Sequence, residues 1–133
     1  MDAIGGYLLD THTLLWAVQE DGKLSSRARE IIENLNEKLF LSAISAFEIA
    51  NKYRIGKLPN YANVAENYHD IVVKFGVMEL PLSSAHAYFA AKLEWNHRDP
   101  FDRILAAQAS IENLTLITND AVFASLPWIR TLW

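Results

Sequence analysis

The sequence predicts an α/β domain: a central, mostly parallel sheet of four or five strands flanked by helices in a three-layer arrangement. Two observations predict the sheet. Short apolar runs alternate with longer segments whose apolar residues recur at helical spacing, and those segments are long enough to serve as crossovers between parallel strands. A third observation predicts a site, because acidic residues stand where apolar strands end or helices begin. That edge is where open parallel sheets gather ligands.

Taken in order, Tyr7-Leu8-Leu9 reads as a buried strand ending at Asp10, and residues 11–18 read as a helix with Leu14, Leu15 and Val18 on one side. Asp21-Gly22 marks a turn. Ser25 can cap a helix over residues 25–38 whose apolar stripe is Ala28, Ile31, Ile32 and Leu35. Leu39-Phe40-Leu41 is a second strand, and Ser42 or Ser45 opens a helix carrying Phe47, Glu48, Ile49, Tyr53 and Ile55 that stops near Gly56. Residues 61–75 suggest one helix bounded by Gly76, and residues 77–80 a third strand closed by Pro81.

Ser83 or Ser84 begins a helix through Trp95. Asp99-Pro100 is a strong helix start, with the aspartate as cap and proline in the first turn, which puts Asp102 at the third helical position. From that helix Phe101, Ile104, Leu105 and Ile111 can pack inward. Residues 114–118 supply a fourth strand ending close to Asp120, and residues 129–133 a possible edge strand after Pro127.

The 133 residues fit one domain, 1–133, and the balance of 51% hydrophobic to 21% charged residues is that of a packed globular chain. Apolar stretches are interrupted well before the roughly 20 residues needed to cross a bilayer, so no membrane contact is expected. The amino terminus does not read as a secretory signal. With no cysteine, disulfide and thiolate chemistry are excluded, and the cytoplasm is the simplest placement. The net charge of −4 offers no whole-molecule attraction to a polyanion, and it suits a chain whose carboxylates gather around a cation.

Asp10, Glu48, Asp102 and Asp120 are the candidate catalytic and metal-holding residues, since all four fall at the same predicted sheet edge. As bare charges they would repel one another and raise each other's pKa, and a cation removes that objection. Oxygen ligands without cysteine or a histidine pair favour magnesium or manganese over zinc, and His12, His69, His86 and His97 show no local zinc spacing. Each acid has a structural alternative. Asp10, Asp99 and Asp120 can cap helices, Glu48 can pair with Lys52, and Asp102 can close a capping box. Thr11 and Ser45 can donate hydrogen bonds to ligands or water, and Thr118 or Asn119 can orient the last carboxylate. Arg103 is suited to a phosphate clamp or to a salt bridge at the rim. Lys52, Arg54, Lys57, Lys92, His97 and Arg98 can form a local positive surface.

Leu8-Leu9-Asp10-Thr11-His12, Ser45-Ala46-Phe47-Glu48-Ile49, the run from Asp99 to Ala109, and Thr118-Asn119-Asp120 together resemble the PIN-domain nucleases, and more narrowly the toxin ribonuclease of a VapBC-type toxin-antitoxin pair. The combination is specific through its order and the length of the third segment. The resemblance implies a PIN-like fold, with Asp10, Glu48, Asp102 and Asp120 as the metal-site acids and Asp99 and Ser45 as neighbours. It implies hydrolysis of RNA phosphodiesters with Mg2+ or Mn2+, giving 5′-phosphate and 3′-hydroxyl ends, with Trp95, His97 or Arg98 as candidates for reading exposed bases. It also implies a homodimer and a cognate antitoxin through which alone the complex would touch DNA. Three other classes fit the pattern less well. A noncatalytic partner-binding α/β domain would use the acids as caps, a metal nuclease could act on DNA, and a receiver-like domain would need a late lysine, which residues 115–133 lack.

Overall fold

The structure is a computed structural model that describes residues 5–133. Its strands are β1 (Tyr7–Leu9), β2 (Leu39–Ser42), β3 (Met78–Leu80), β4 (Thr115–Ile117) and β5 (Arg130–Leu132). They form one sheet in the order β3-β2-β1-β4-β5, and every neighbouring pair is parallel. Leu8 sits opposite Leu116 and Leu9 opposite Ile117. Because side chains alternate along a strand, Leu8 and Leu116 enter one apolar cluster while Leu9, Leu41 and Ile117 enter another. The sheet therefore has a core on each face, which is why its strands read as continuous apolar runs.

The helices are α1 (Thr11–Gln19), α2 (Ser26–Glu33), α3 (Ala43–Arg54), α4 (Ala62–Glu66), α5 (Tyr68–Phe75), α6 (Ser84–Lys92) and α7 (Pro100–Ile111). Leu14 and Leu15 of α1, Ala28 of α2, Ile49 of α3 and Val64 of α4 cover one face. Leu105, Ala106 and Ala109 of α7, with Phe123 from a 3-10 turn, cover the other. The chain steps from β1 outward through β2 to β3, then returns to lay β4 on the opposite side of β1. The topological switch point thus lies between β1 and β4, and the carboxyl ends of strands at such a point are where open parallel sheets bind ligands. No helix among the described residues is long and apolar enough to cross a membrane.

Several element boundaries differ from the sequence expectation. The helix expected over 25–38 ends at Glu33, because the Asn34 side chain accepts from the Asn36 N–H at 2.9 Å and turns the chain. Leu35, expected in the apolar stripe, is consequently 99% exposed. The single helix expected over 61–75 is interrupted at Asn67, whose backbone (φ −125°, ψ 33°) separates α4 from α5. Gly76, at φ +84°, ends α5 in the left-handed conformation that glycine adopts without steric cost. The helix expected to reach Trp95 stops at Lys92. Ile111, expected to pack inward, is 42% exposed at the end of α7. The edge strand is real and extends the sheet to five.

Candidate active site

Asp10 follows β1 directly. Its N–H donates to the Ile117 carbonyl at 3.1 Å, which fixes it against the end of β4, and although it occupies the N-cap position of α1 its side chain makes no cap hydrogen bond. The carboxylate is held instead by Thr118, whose Oγ1 donates to Oδ2 at 2.7 Å. The same hydroxyl accepts from the Asp120 N–H at 3.0 Å. Thr118 therefore orients the first acid of the set, not the last, and the pairing of β1 with β4 is what brings the two together.

Glu48 is placed by α3, which begins where Ser42 caps the Ile44 N–H at 3.0 Å. Thr11 and Ser45, expected to donate to ligands or water, bond each other at 2.8 Å in a buried contact that pins the start of α1 to the start of α3 and leaves one hydroxyl proton unused. This cross-link sets Asp10 beside Glu48. The Glu48 side chain is only 8% exposed and is paired with Lys52 one turn later at 2.5 Å, so the expected ion pair forms inside the site and not on a solvated face.

Asp99 caps α7 by accepting from the Phe101 N–H at 2.9 Å. One turn in, Asp102 accepts from His97 Nε2 at 2.6 Å. Arg103, expected at the rim as a phosphate clamp or salt bridge, turns away from the acids. Its guanidinium donates to the carbonyls of Ala90, Trp95 and His97 at 3.0, 3.0 and 2.8 Å and also to that of Leu93. These are the orphan carbonyls left by the end of α6 and the loop after it. Asp120 is exposed and its Oδ1 accepts from the Val122 N–H at 3.0 Å, capping the 3-10 turn that follows; its main-chain N–H, not its carboxylate, meets Thr118.

The electrostatics link four acids in a chain, Glu48 with Asp10, Asp10 with Asp102, and Asp102 with Asp99. Burial, opposed by the Thr118 hydrogen bond and reinforced by the charge of Glu48, pushes the Asp10 carboxyl above the ordinary aspartate value. Burial, opposed by the His97 hydrogen bond and reinforced by the like charges of Asp99 and Asp10, pushes Asp102 up to about 6. Burial alone would lower the Lys52 ammonium, but Glu48, Asp99 and Asp102 together raise it. Crowded, partly buried carboxylates, of which Asp10 and Asp102 are raised first by burial and then by neighbouring like charge, form a donor set that a divalent cation stabilises, so the residues fit such an ion. Ligand atoms of His97, Asp99 and Asp102 lie within 4.8 Å of one another, which brings a histidine into the cluster. Neither the His97 contact nor the bond from Thr118 to Asp10 has a local signature in the sequence. Strand adjacency carries the second, and a loop packed back on its helix carries the first.

The PIN domain family model matches residues 7–129. The chain belongs to the PIN-domain family. This PIN domain is 36% identical over 61 residues to "Ribonuclease VapC16" of Mycobacterium tuberculosis, a match that covers 46% of this chain and 43% of that relative, so it spans less than half the relative's length. Its fold is similar to the crystal structure of DNA-bound VapBC from Salmonella typhimurium, with a TM-score of 0.70 at 18% identity over 97% of this chain and 98% of the other. VapBC2 from Rickettsia felis, bound to a promoter DNA fragment, gives 0.69 at 19% identity over 95% and 96%. FitAcB from Neisseria gonorrhoeae gives 0.63 at 22% identity over 96% of each chain. The PIN-like three-layer fold expected from the sequence is the fold observed.

Proposed function

We propose that this PIN domain is a magnesium- or manganese-dependent endoribonuclease and acts as the toxin of a type II toxin-antitoxin pair. The observation that carries the reading is the convergence of Asp10, Glu48 and Asp102 at the switch point between β1 and β4, where burial and like charge raise Asp10 and Asp102. These three acids would hold the ion, with Asp120 contributing from the rim and Asp99 beside Asp102. When bound, the divalent ion would neutralise charge on the scissile phosphate and lower the pKa of a water. The protein's own groups do the rest. Thr118 holds the Asp10 carboxylate in one orientation, the bond between Thr11 and Ser45 keeps α1 and α3 in register, and Lys52 offsets charge at Glu48. Hydrolysis adds the water oxygen to phosphorus and breaks the bond to the 3′ oxygen, leaving a 5′-phosphate and a 3′-hydroxyl.

RNA, in preference to DNA, is supported by the ribonuclease name of the curated relative. A cognate antitoxin is supported by the likeness to VapBC and FitAB complexes, three of which hold DNA; the homodimer is proposed from the family resemblance alone. The net charge of −4 suits a chain that reaches DNA only through that partner. The test is cleavage of a mixed cellular RNA pool by antitoxin-free protein, with and without each metal, with the product ends mapped. Asp10→Asn and Asp102→Asn should keep the fold and lose more than about 100-fold in metal-dependent cutting, beyond the usual effect of outer-shell changes. Equal cutting by wild type and Asp10→Asn would sink the assignment.

A further inference from the structure

His97 stands outside α7, yet its ring reaches the carboxylate that α7 presents. Nε2 lies 2.6 Å from Asp102 Oδ2. The ionised carboxylate can only accept, so Nε2 carries the hydrogen. The donor is itself held on two sides. The imidazole packs on Trp95 with ring centroids 5.0 Å apart; Trp95 in turn contacts the buried Phe123 ring at 5.8 Å and donates its indole N–H to Ser125 Oγ at 2.8 Å. The main chain is fixed by Arg103, whose guanidinium binds the His97 carbonyl at 2.8 Å and the Trp95 carbonyl at 3.0 Å. Arg103 is the residue directly after Asp102, so the loop that supplies the hydrogen bond is fastened to the helix turn that receives it.

An aspartate in the first turn of a helix can rotate about two side-chain bonds, and here the ligand atom of Asp99 lies within 4.8 Å of its own. Repulsion between the two favours turning the carboxylate away. A fixed N–H donor on one oxygen opposes that rotation and leaves the second oxygen for a ligand, the task that outer hydrogen bonds perform around metal-binding carboxylates. We propose that His97, clasped through Arg103, is a positioning residue that orients the Asp102 carboxylate for a divalent cation. This rests on the metal-dependent reading above. It assigns Nε2 to a carboxylate, not to the reading of bases, and it gives Arg103 a place in the site without contact to substrate.

Mn2+ binding to the full chain, followed by the EPR signal of the free ion, tests this without recourse to activity. His97→Ala should weaken Mn2+ binding about 10–100-fold, while His97→Gln, which keeps an N–H donor, should restore most of the affinity. Without metal, His97→Gln should melt close to wild type and His97→Ala only a few degrees lower, so that both variants are folded during the titration. Loss of binding in Asp102→Asn combined with wild-type binding in His97→Ala would overturn the positioning role alone. Wild-type binding in both variants would overturn the metal site and the inference with it. A nitrogen coupling in the spin-echo spectrum of bound Mn2+ that disappears in His97→Ala would also overturn it, since His97 would then be a direct ligand.

Discussion

Asp102 keeps its proton to a higher pH than an exposed aspartate, because burial and the neighbouring charges of Asp99 and Asp10 disfavour its ionised form. In the unfolded chain the value returns to about 3.8. Between those two values the folded protein binds more protons than the unfolded one, so this residue's contribution to stability is full below about pH 4 and is lost as the pH rises through about 6. Asp10 shifts in the same direction. Metal-free Asp102→Asn should therefore gain stability over wild type at about pH 7 and little or none at about pH 4, as read by urea denaturation at the two values. A constant difference across that range would show that Asp102 is solvated like an ordinary carboxylate. Asp10 and Asp102 were legible in the sequence because one follows a strand and the other lies in the first turn of a helix. Their partners were not, since Thr118 meets Asp10 across 108 positions and Thr11 meets Ser45 across 34.

At the scale of the element, the short α6 and the loop after it depend on one side chain from α7. Arg103→Met keeps the aliphatic stem but removes every donor to the carbonyls of Ala90, Leu93, Trp95 and His97. Hydrogen bonds to charged groups contribute about 1.5–3 kcal/mol each, so a loss of at least about 2 kcal/mol in urea denaturation is expected, with faster amide exchange over residues 93–98. Unchanged stability with weakened RNA binding would return Arg103 to the role of substrate clamp. The start of α7 was readable because Asp99 and Pro100 are adjacent and their effects are local. The ends of α2 and α6 were not, because the first depends on an asparagine turn and the second on a guanidinium from the next helix.

At the scale of the whole molecule, stability rests on the two apolar layers that sandwich the sheet. Leu116 is fully buried in the layer under α7, opposite Leu8. Leu116→Ala should cost about 2–5 kcal/mol by chemical denaturation. Because β4 also carries Thr118 toward Asp10, the same variant should loosen Mn2+ binding. A smaller stability loss would mean that the α7 layer closes over the cavity.

Local pattern alone determined the strands, most helix starts, the α/β class and the order of the acids, because side-chain periodicity and capping act over a few residues. Only the tertiary structure decided which strand lies beside which, and from that adjacency follow the bond between Thr118 and Asp10, the enclosure of the Glu48–Lys52 pair and the crowding that raises Asp102. It also decided that Arg103 serves main-chain carbonyls. The physical reason is common to all of these: a side chain's partner is set by what packing brings within about 3 Å, and nothing in its sequence neighbourhood records that choice.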